Sequence, residues 1–342
     1  MRQSRDSVTS VADDSTETNL RDLDAEFDVD VELIQKQTDY LSTSAEEFDD
    51  RAVEDVETLY HYTDVNGLMS ILTKHDLWAT NVFFMNDESE IRHSFDKVNA
   101  MLTNTELPMS LVGTPHTVAD RVIKTITNNF AQYVNLYAVC FCESGDLLSQ
   151  WRAYGANGGY AIGFDASQLR KLTSRRFALI KVSYDEEEQD LALAKLIRKW
   201  RDCFTDDAGN VHYSNSTLRA LELMFAEIIS MVGLGFKNKG FSEEEEWRLV
   251  YRKSEIVLDD GINFPIDFRA RNGNPVPYAR ISFNRDESAN DFRKPIQYVV
   301  MGRRNYSVVT GFALVKFLLS LGGWHQDIGI RQSAIPLRAW ST

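Results

Sequence analysis

Apolar positions are scattered without period over the first 50 residues and become regular only after that. "TLYHYT" (58–63) alternates and reads as a strand. The next stretch, "DVNGLMSILTKHDL", sets Leu68, Ile71 and Leu72 on one stripe behind Asp64 as N-cap, which predicts a short amphipathic helix. "WATNVFFMNDESEI" reads as an extended piece and a polar turn opening the helix "DESEIRHSFDKVNAML", and a further helix is expected over 116–132. The β-branched and aromatic run "VNLYAVCFCES" predicts a buried strand, "LLSQWRAYG" a short helix, and "GGYAIGFDA" and "FALIKVSYD" two more strands. Helices follow over 186–203 and 216–232, parted by the turn "TDDAGN". "EEEEWRLVYRK" alternates from Trp247 onward and reads as a strand. Residues 259–295 look irregular, with short strands such as "YARISF". The strand "IQYVVMG", the glycine-stopped helix "SVVTGFALVKFLLSLGG" and a terminal strand in "IGIRQSAIPLRAW" complete the pattern.

Strands and helices mix without strict strand–helix–strand order, so the expected class is α+β with largely antiparallel sheets. Two regions are expected: an acidic, disordered extension over 1–50, and a single α+β domain over 51–342. The extension could still hold a loose helix around "VELIQKQTDYLSTSAEEF". No internal repeat is visible, and no apolar run approaches the roughly 18 residues of a membrane span.

Charge sharpens this division. Residues 1–50 hold fifteen Asp or Glu against four Lys or Arg, so −11 of the net −14 lies there and −3 is left for the other 292 residues. The domain is therefore near neutral and can take up a nucleic acid or a dinucleotide locally. The acidic arm is either a solvated tail, a guard over a basic groove, or an arm that binds a partner. The N-terminus has no apolar core of a secretory signal, so the expected location is cytoplasmic, with no membrane contact. Cys140, Cys142 and Cys203 are too few for a disulfide framework, and no ligands spaced for zinc accompany the first two, so they read as strand cysteines and no metal is expected.

Four stretches could carry chemistry. On a strand, His61 and Thr63 share one face while Tyr60 and Tyr62 take the other. That pair could hydrogen-bond a ribose, or His61 could be a structural residue bonded to backbone. In "SGDLLSQWRAYG", Ser149, Trp151, Arg152 and Tyr154 fall within six residues. An aromatic ring there could stack on a flat heterocycle and Arg152 could pair with phosphate, or Trp151 and Tyr154 could pack into the core. In "SEEEEWRLVYR", backward alternation puts Glu244, Glu246 and Arg248 on one strand face. A carboxylate there, Glu246 first, could stabilise an oxocarbenium-like centre. Asn86, Asp87 and Glu90 of "MNDESE" suit helix capping or the edge of a pocket. "GANGGYAIG" follows a helix and enters a strand, the wrong setting for a dinucleotide fingerprint.

"LYHYTDVNGLMSIL…LWATNVFFMNDESE", "FCESGDLLSQWRAYGANGGYAIGFD", "FSEEEEWRLVY" and the C-terminal "SAIPLR" occur in an order that resembles a widespread bacterial family, domain of unknown function 2971, over most of 58–338. The layout is also similar in one respect to the ADP-ribosyltransferase superfamily, whose members hold NAD in a split cleft between two small sheets with flanking helices. "HYT" followed by a helix of the form N-x-L-x-x-I-L is similar to its DNA-modifying branch. The resemblance implies that His61 grips the ribose and that Glu246, with Glu244, occupies the late-strand acidic position. Thr63, Ser149, Trp151, Arg152 and Tyr154 would complete the dinucleotide site, although "SQWRAY" departs from the middle-strand pattern of that superfamily. It further implies an NAD-dependent transferase that modifies nucleic acid or protein, as a bacterial toxin or phage-defence effector. The alternative is a non-catalytic nucleotide sensor or a protein-interaction module. Arg198, Lys199, Arg201, Arg303 and Arg304 are basic groups that could meet phosphates or stay solvated.

Overall fold

The computed structural model describes residues 56–85, 96–97, 100–101, 135–154, 159–172, 177–204, 215–253, 264–271, 273–283, 295–302 and 307–335. The acidic extension, "MNDESE", the expected helix over 116–132, "TDDAGN", Arg303 and Arg304 lie outside them, as do the side chains of Arg201 and Cys203.

Among the described residues ten strands join in one mixed sheet, and helices flank it: an α+β architecture that is largely antiparallel and open. The hub is β3 (Leu136–Cys142), apolar on both faces and buried along its length except at Cys140. One edge of β3 is fully occupied by β6 (Glu246–Arg252), in seven consecutive register pairs from Leu136↔Arg252 to Cys142↔Glu246. β5 (Phe177–Lys181) extends the sheet beyond β6.

The other edge of β3 is shared. β1 (Thr58–Thr63) pairs with its C-terminal end at Tyr60↔Cys142. β2 (Asp76–Asn81) pairs with its N-terminal end at Thr80↔Ala138 and Asn81↔Tyr137. Between them Val139, Cys140 and Phe141 have no strand partner on that side among the described residues. The sheet splits there. One wing continues through β1 to β4 (Tyr160–Asp165), β9 (Ile296–Met301) and the parallel β10 (Gly329–Gln332). The other continues through β2 to β8 (Asn274–Ser282) and β7 (Ile266–Arg271).

Alternation sorts the sheet's side chains into separate cores. Ala138, Ala178, Ile180 and Val250 pack under α4 (Glu186–Phe204) and α5 (Asn215–Gly233), where Trp200 stacks on Phe225 at 3.9 Å. Val139, Phe141, Leu249 and Tyr251 pack on the opposite face, with α1 (Val65–Lys74) and α6 (Val308–Leu321). Tyr60, Tyr62 and Cys142 form a smaller cluster with Trp151 of α2 (Leu148–Tyr154). A further helix, α3 (Ala166–Arg170), follows β4 under the cap of Asp165.

Local chemistry sets the ends of these elements. Asp64 caps α1 by accepting the Gly67 N–H at 2.8 Å, and His75 ends it in the left-handed region at φ 54°. Ser307 and Thr310 close a capping box on α6, and Gly322 stops it at φ 69°. No helix among the described residues is long and apolar enough to cross a membrane.

Candidate functional site

The split in the sheet places His61. Its Nδ1 lies 2.9 Å from the Cys140 carbonyl oxygen, one of the backbone acceptors left over where no strand pairs. A carbonyl only accepts, so Nδ1 carries the proton and donates. Burial, outweighing the Cys140 bond that pulls the other way, lowers the His61 pKa, and the charge of Arg269 lowers it further. The ring is therefore neutral near pH 7, with Nε2 a bare acceptor that has no hydrogen-bond partner among the described residues. Tyr60 and Tyr62 are buried and His61 and Thr63 half-buried, as the alternation along β1 requires. Thr63 supports the turn into α1: a Cβ at Gly67 would collide with its hydroxyl.

Glu246 opens β6 on the far side of β3. Tyr60, Cys142 and Glu246 form one register line and so share a face, whereas His61 takes the alternate position. The Glu246 carboxylate is buried and saturated. It accepts from Arg248 Nε at 2.8 Å and Nη2 at 2.9 Å, and from Lys237 Nζ at 2.9 Å. Burial alone would push this carboxyl up; Arg248 foremost, then Lys237 and the Cys140 thiol, bring it down to about 2. The backbone N–H of Glu246 donates to the Tyr184 hydroxyl at 3.0 Å.

Glu244 corrects one expectation. It is not on the strand face beside Glu246 but ends a short 3-10 helix, Lys239–Glu244, and Glu245 then turns left-handed at φ 42°. That turn resets the alternation, so the strand begins only at Glu246. Glu244 nevertheless meets the same cation, with Lys237 Nζ 2.6 Å from its carboxylate.

The Trp151 stretch is architectural. Trp151 is 1% exposed, meets the Tyr62 ring edge-on at 4.9 Å and donates from Nε1 to Asp146 at 2.7 Å, so its face is not open to a stacked heterocycle. Asp146 also accepts from the Ser333 hydroxyl at 2.6 Å and the Ala334 N–H at 2.8 Å, clasping α2 to the segment after β10. Ser149 is half-buried on α2; Arg152 and Tyr154 are exposed at its end. Arg198 and Lys199 stand on α4.

One family match runs from this helix to the Glu246 strand. Residues 150–249 match DUF2971, a protein family of unknown function. The DUF2971 stretch takes in Trp151, the α4/α5 core and the Lys237–Glu246–Arg248 cluster, and stops short of β1 and of β2, β8 and β7. No curated protein and no solved structure matches the chain.

Outside the DUF2971 stretch, the structure adds residues that the sequence pattern did not single out. Cys140 stands between His61 and Glu246: its carbonyl accepts the His61 Nδ1–H, and its thiol helps to lower the Glu246 carboxyl. Burial, then the negative charge of Glu246, pushes that thiol well above its usual range, so it stays protonated. Across the split, Trp78 and Tyr278 stack at 4.4 Å with 24° between their planes. Arg269 lies 5.9 Å from each ring centre and donates from Nη2 to the Thr80 hydroxyl at 2.7 Å. "IDFRAR" alternates at period two and runs into Asn272-Gly273, a strong hairpin signal, and this pattern could have placed Arg269 on a strand. No group of three or more His, Cys, Asp or Glu among the described residues could hold a metal ion.

Proposed function

We propose that this chain is a nucleotide-binding module whose cleft is the split between β1 and β2, with NAD or an ADP-ribosyl nucleotide as the ligand class. The observation that carries the reading is His61: a neutral imidazole, locked in one tautomer by the Cys140 carbonyl, with Nε2 free to accept from a ribose hydroxyl. The divergence of two groups of strands from one hub is the finer, ADP-ribosyltransferase-like layout that this proposal adopts for the fold.

A second reading, ADP-ribosyl transfer to protein or nucleic acid, is favoured by the way Cys140 stands between His61 and Glu246. In that reaction the glycosidic bond of NAD breaks, nicotinamide leaves with the bonding pair, and an acceptor nucleophile takes the ribose carbon. A carboxylate that steers such a step acts through unspent negative charge. Glu246 is already compensated by Arg248 and Lys237, so binding without transfer ranks first.

The deciding experiment titrates NAD and ADP-ribose into the full chain by calorimetry and measures nicotinamide release in the same samples. The binding reading expects saturable heat, weakened about tenfold or more by His61→Ala, as loss of a hydrogen bond in a desolvated site does, and no release. Release that disappears in Glu246→Gln and in Glu246→Asp, both still folded, would establish transfer instead. No binding of either nucleotide would reject both readings.

A further inference from the structure

On the β2–β8–β7 wing Arg269 is an unusual cation. It is half-buried, and no carboxylate pairs with it among the described residues. Asp267, two positions earlier on β7, is taken by Arg280 at 2.8 Å. The Nε of Arg269 is buried without a hydrogen-bond partner, leaving a guanidinium donor unused. Two further cations lie near it. Arg271 follows on the same strand face, and Lys74 lies 5.6 Å over the Trp78 ring. His61 is within electrostatic reach across the split. A cation withdrawn from water without a counter-ion is costly, and a fork of donors with one arm already fixed by Thr80 is preorganised for a tetrahedral anion. The stacked Trp78–Tyr278 pair gives this spot an aromatic wall.

The geometry points to Arg269 as a phosphate-binding residue: the anion sits between Arg269 and Arg271 beside the Trp78–Tyr278 stack, while His61 meets the ribose. This rests on the nucleotide reading of the split, and it narrows the ligand to one that carries a phosphate or pyrophosphate rather than a bare nucleoside.

The test is calorimetric titration of the full chain with inorganic pyrophosphate, ADP-ribose and adenosine, on wild type, Arg269→Gln, Arg269→Lys, Arg271→Gln and His61→Ala, with thermal melting as the folding check. Pyrophosphate and ADP-ribose should both bind wild type. Arg269→Gln should weaken both by about tenfold or more, as removal of a charge-assisted donor does, and flatten their salt dependence. Arg269→Lys should recover part of the loss, which separates charge from folding should Arg269→Gln unfold. Adenosine should be indifferent to every change at Arg269. Equal binding by wild type and folded Arg269→Gln, or no pyrophosphate binding to wild type, would overturn the assignment. Pyrophosphate binding that depends on Arg269, with ADP-ribose no tighter and His61→Ala silent, would keep the anion site and reject the nucleotide reading.

Discussion

The two edges of β3 make different use of the same backbone. Along β6 seven register pairs close the ladder, and the charges nearby are matched to one another: Arg248 and Lys237 to Glu246, Arg252 to Glu227 at 3.4 Å. Along the split the ladder is open, a histidine ring takes up a carbonyl, and no carboxylate pairs with Arg269 among the described residues. Buried groups that satisfy one another hold a structure together, whereas groups with unspent bonding capacity are available to a ligand. By that criterion Glu246 belongs to the scaffold and His61 with Arg269 to the site, although Glu246 had the stronger look of chemistry in the bare sequence.

The sharpest way to break this contrast is Glu246→Gln. It leaves Arg248 buried without its counter-charge and Lys237 with Glu244 alone, and should lower unfolding free energy by about 3–5 kcal/mol in denaturant titrations, as loss of one partner from a buried ion pair does. Wild type should show a matching acid response. The carboxyl is lowered from 4.5 to about 2 on folding, so its contribution is complete above about pH 4.5 and is lost as pH falls toward 2. Glu246→Gln should lack that part of the slope. Stability unchanged by the substitution would return Glu246 to the pool of functional groups.

Smaller effects are expected at the next positions. Trp151→Phe removes the donor to Asp146 and should cost about 1–3 kcal/mol, read by melting, while leaving nucleotide affinity unaltered. A drop in affinity without a drop in stability would instead restore Trp151 as a ligand contact. His61→Ala should change stability least, about 0.5–1.5 kcal/mol for one hydrogen bond, and act on binding. Because the His61 pKa is lowered from 6.5, ligand affinity should be flat above that pH and fall only below it, as Nε2 gains a proton and ceases to accept. Affinity rising on acidification would contradict the acceptor role.

Much of the chain order was legible. The apolar β3 run, the Asp64 cap, the alternation of His61 and Thr63 against two tyrosines, and the glycine stop after α6 all follow from periods and turn chemistry that act within a few residues. What was not legible depends on partners distant in sequence. Nothing near Cys140 announces that β1 and β2 share one edge, because both strands pair with β3 from far away in sequence. Glu244 was misplaced because a left-handed Glu245 is an unfavourable conformation that the pattern gives no reason to expect. Lys237, seven residues from Glu244 and nine from Glu246, completes a cluster that a single-strand view omits. The alternation of "IDFRAR" can place Arg269 on a strand, but Thr80, Trp78 and Tyr278, which make its surroundings, lie on other strands.

The wing formed by β2, β8 and β7 meets the hub strand through the register pairs of Thr80 and Asn81 alone, and is otherwise held by side chains such as Leu77, Ala79 and Ile281 in the core shared with α1 and α6. Ladder bonds fix direction and spacing, and close-packed side chains add to the hold without adding backbone bonds. Among the described residues both wings are thus joined to the hub by short seams, one register pair for β1 and two for β2, against the seven pairs of β6, so the two banks of the split are held to β3 less firmly than β6 is. Amide protons of Thr80 and Asn81 should exchange into deuterium well before those of Leu249 and Val250, and a ligand spanning His61 and Arg269 should slow them by pinning the two banks together.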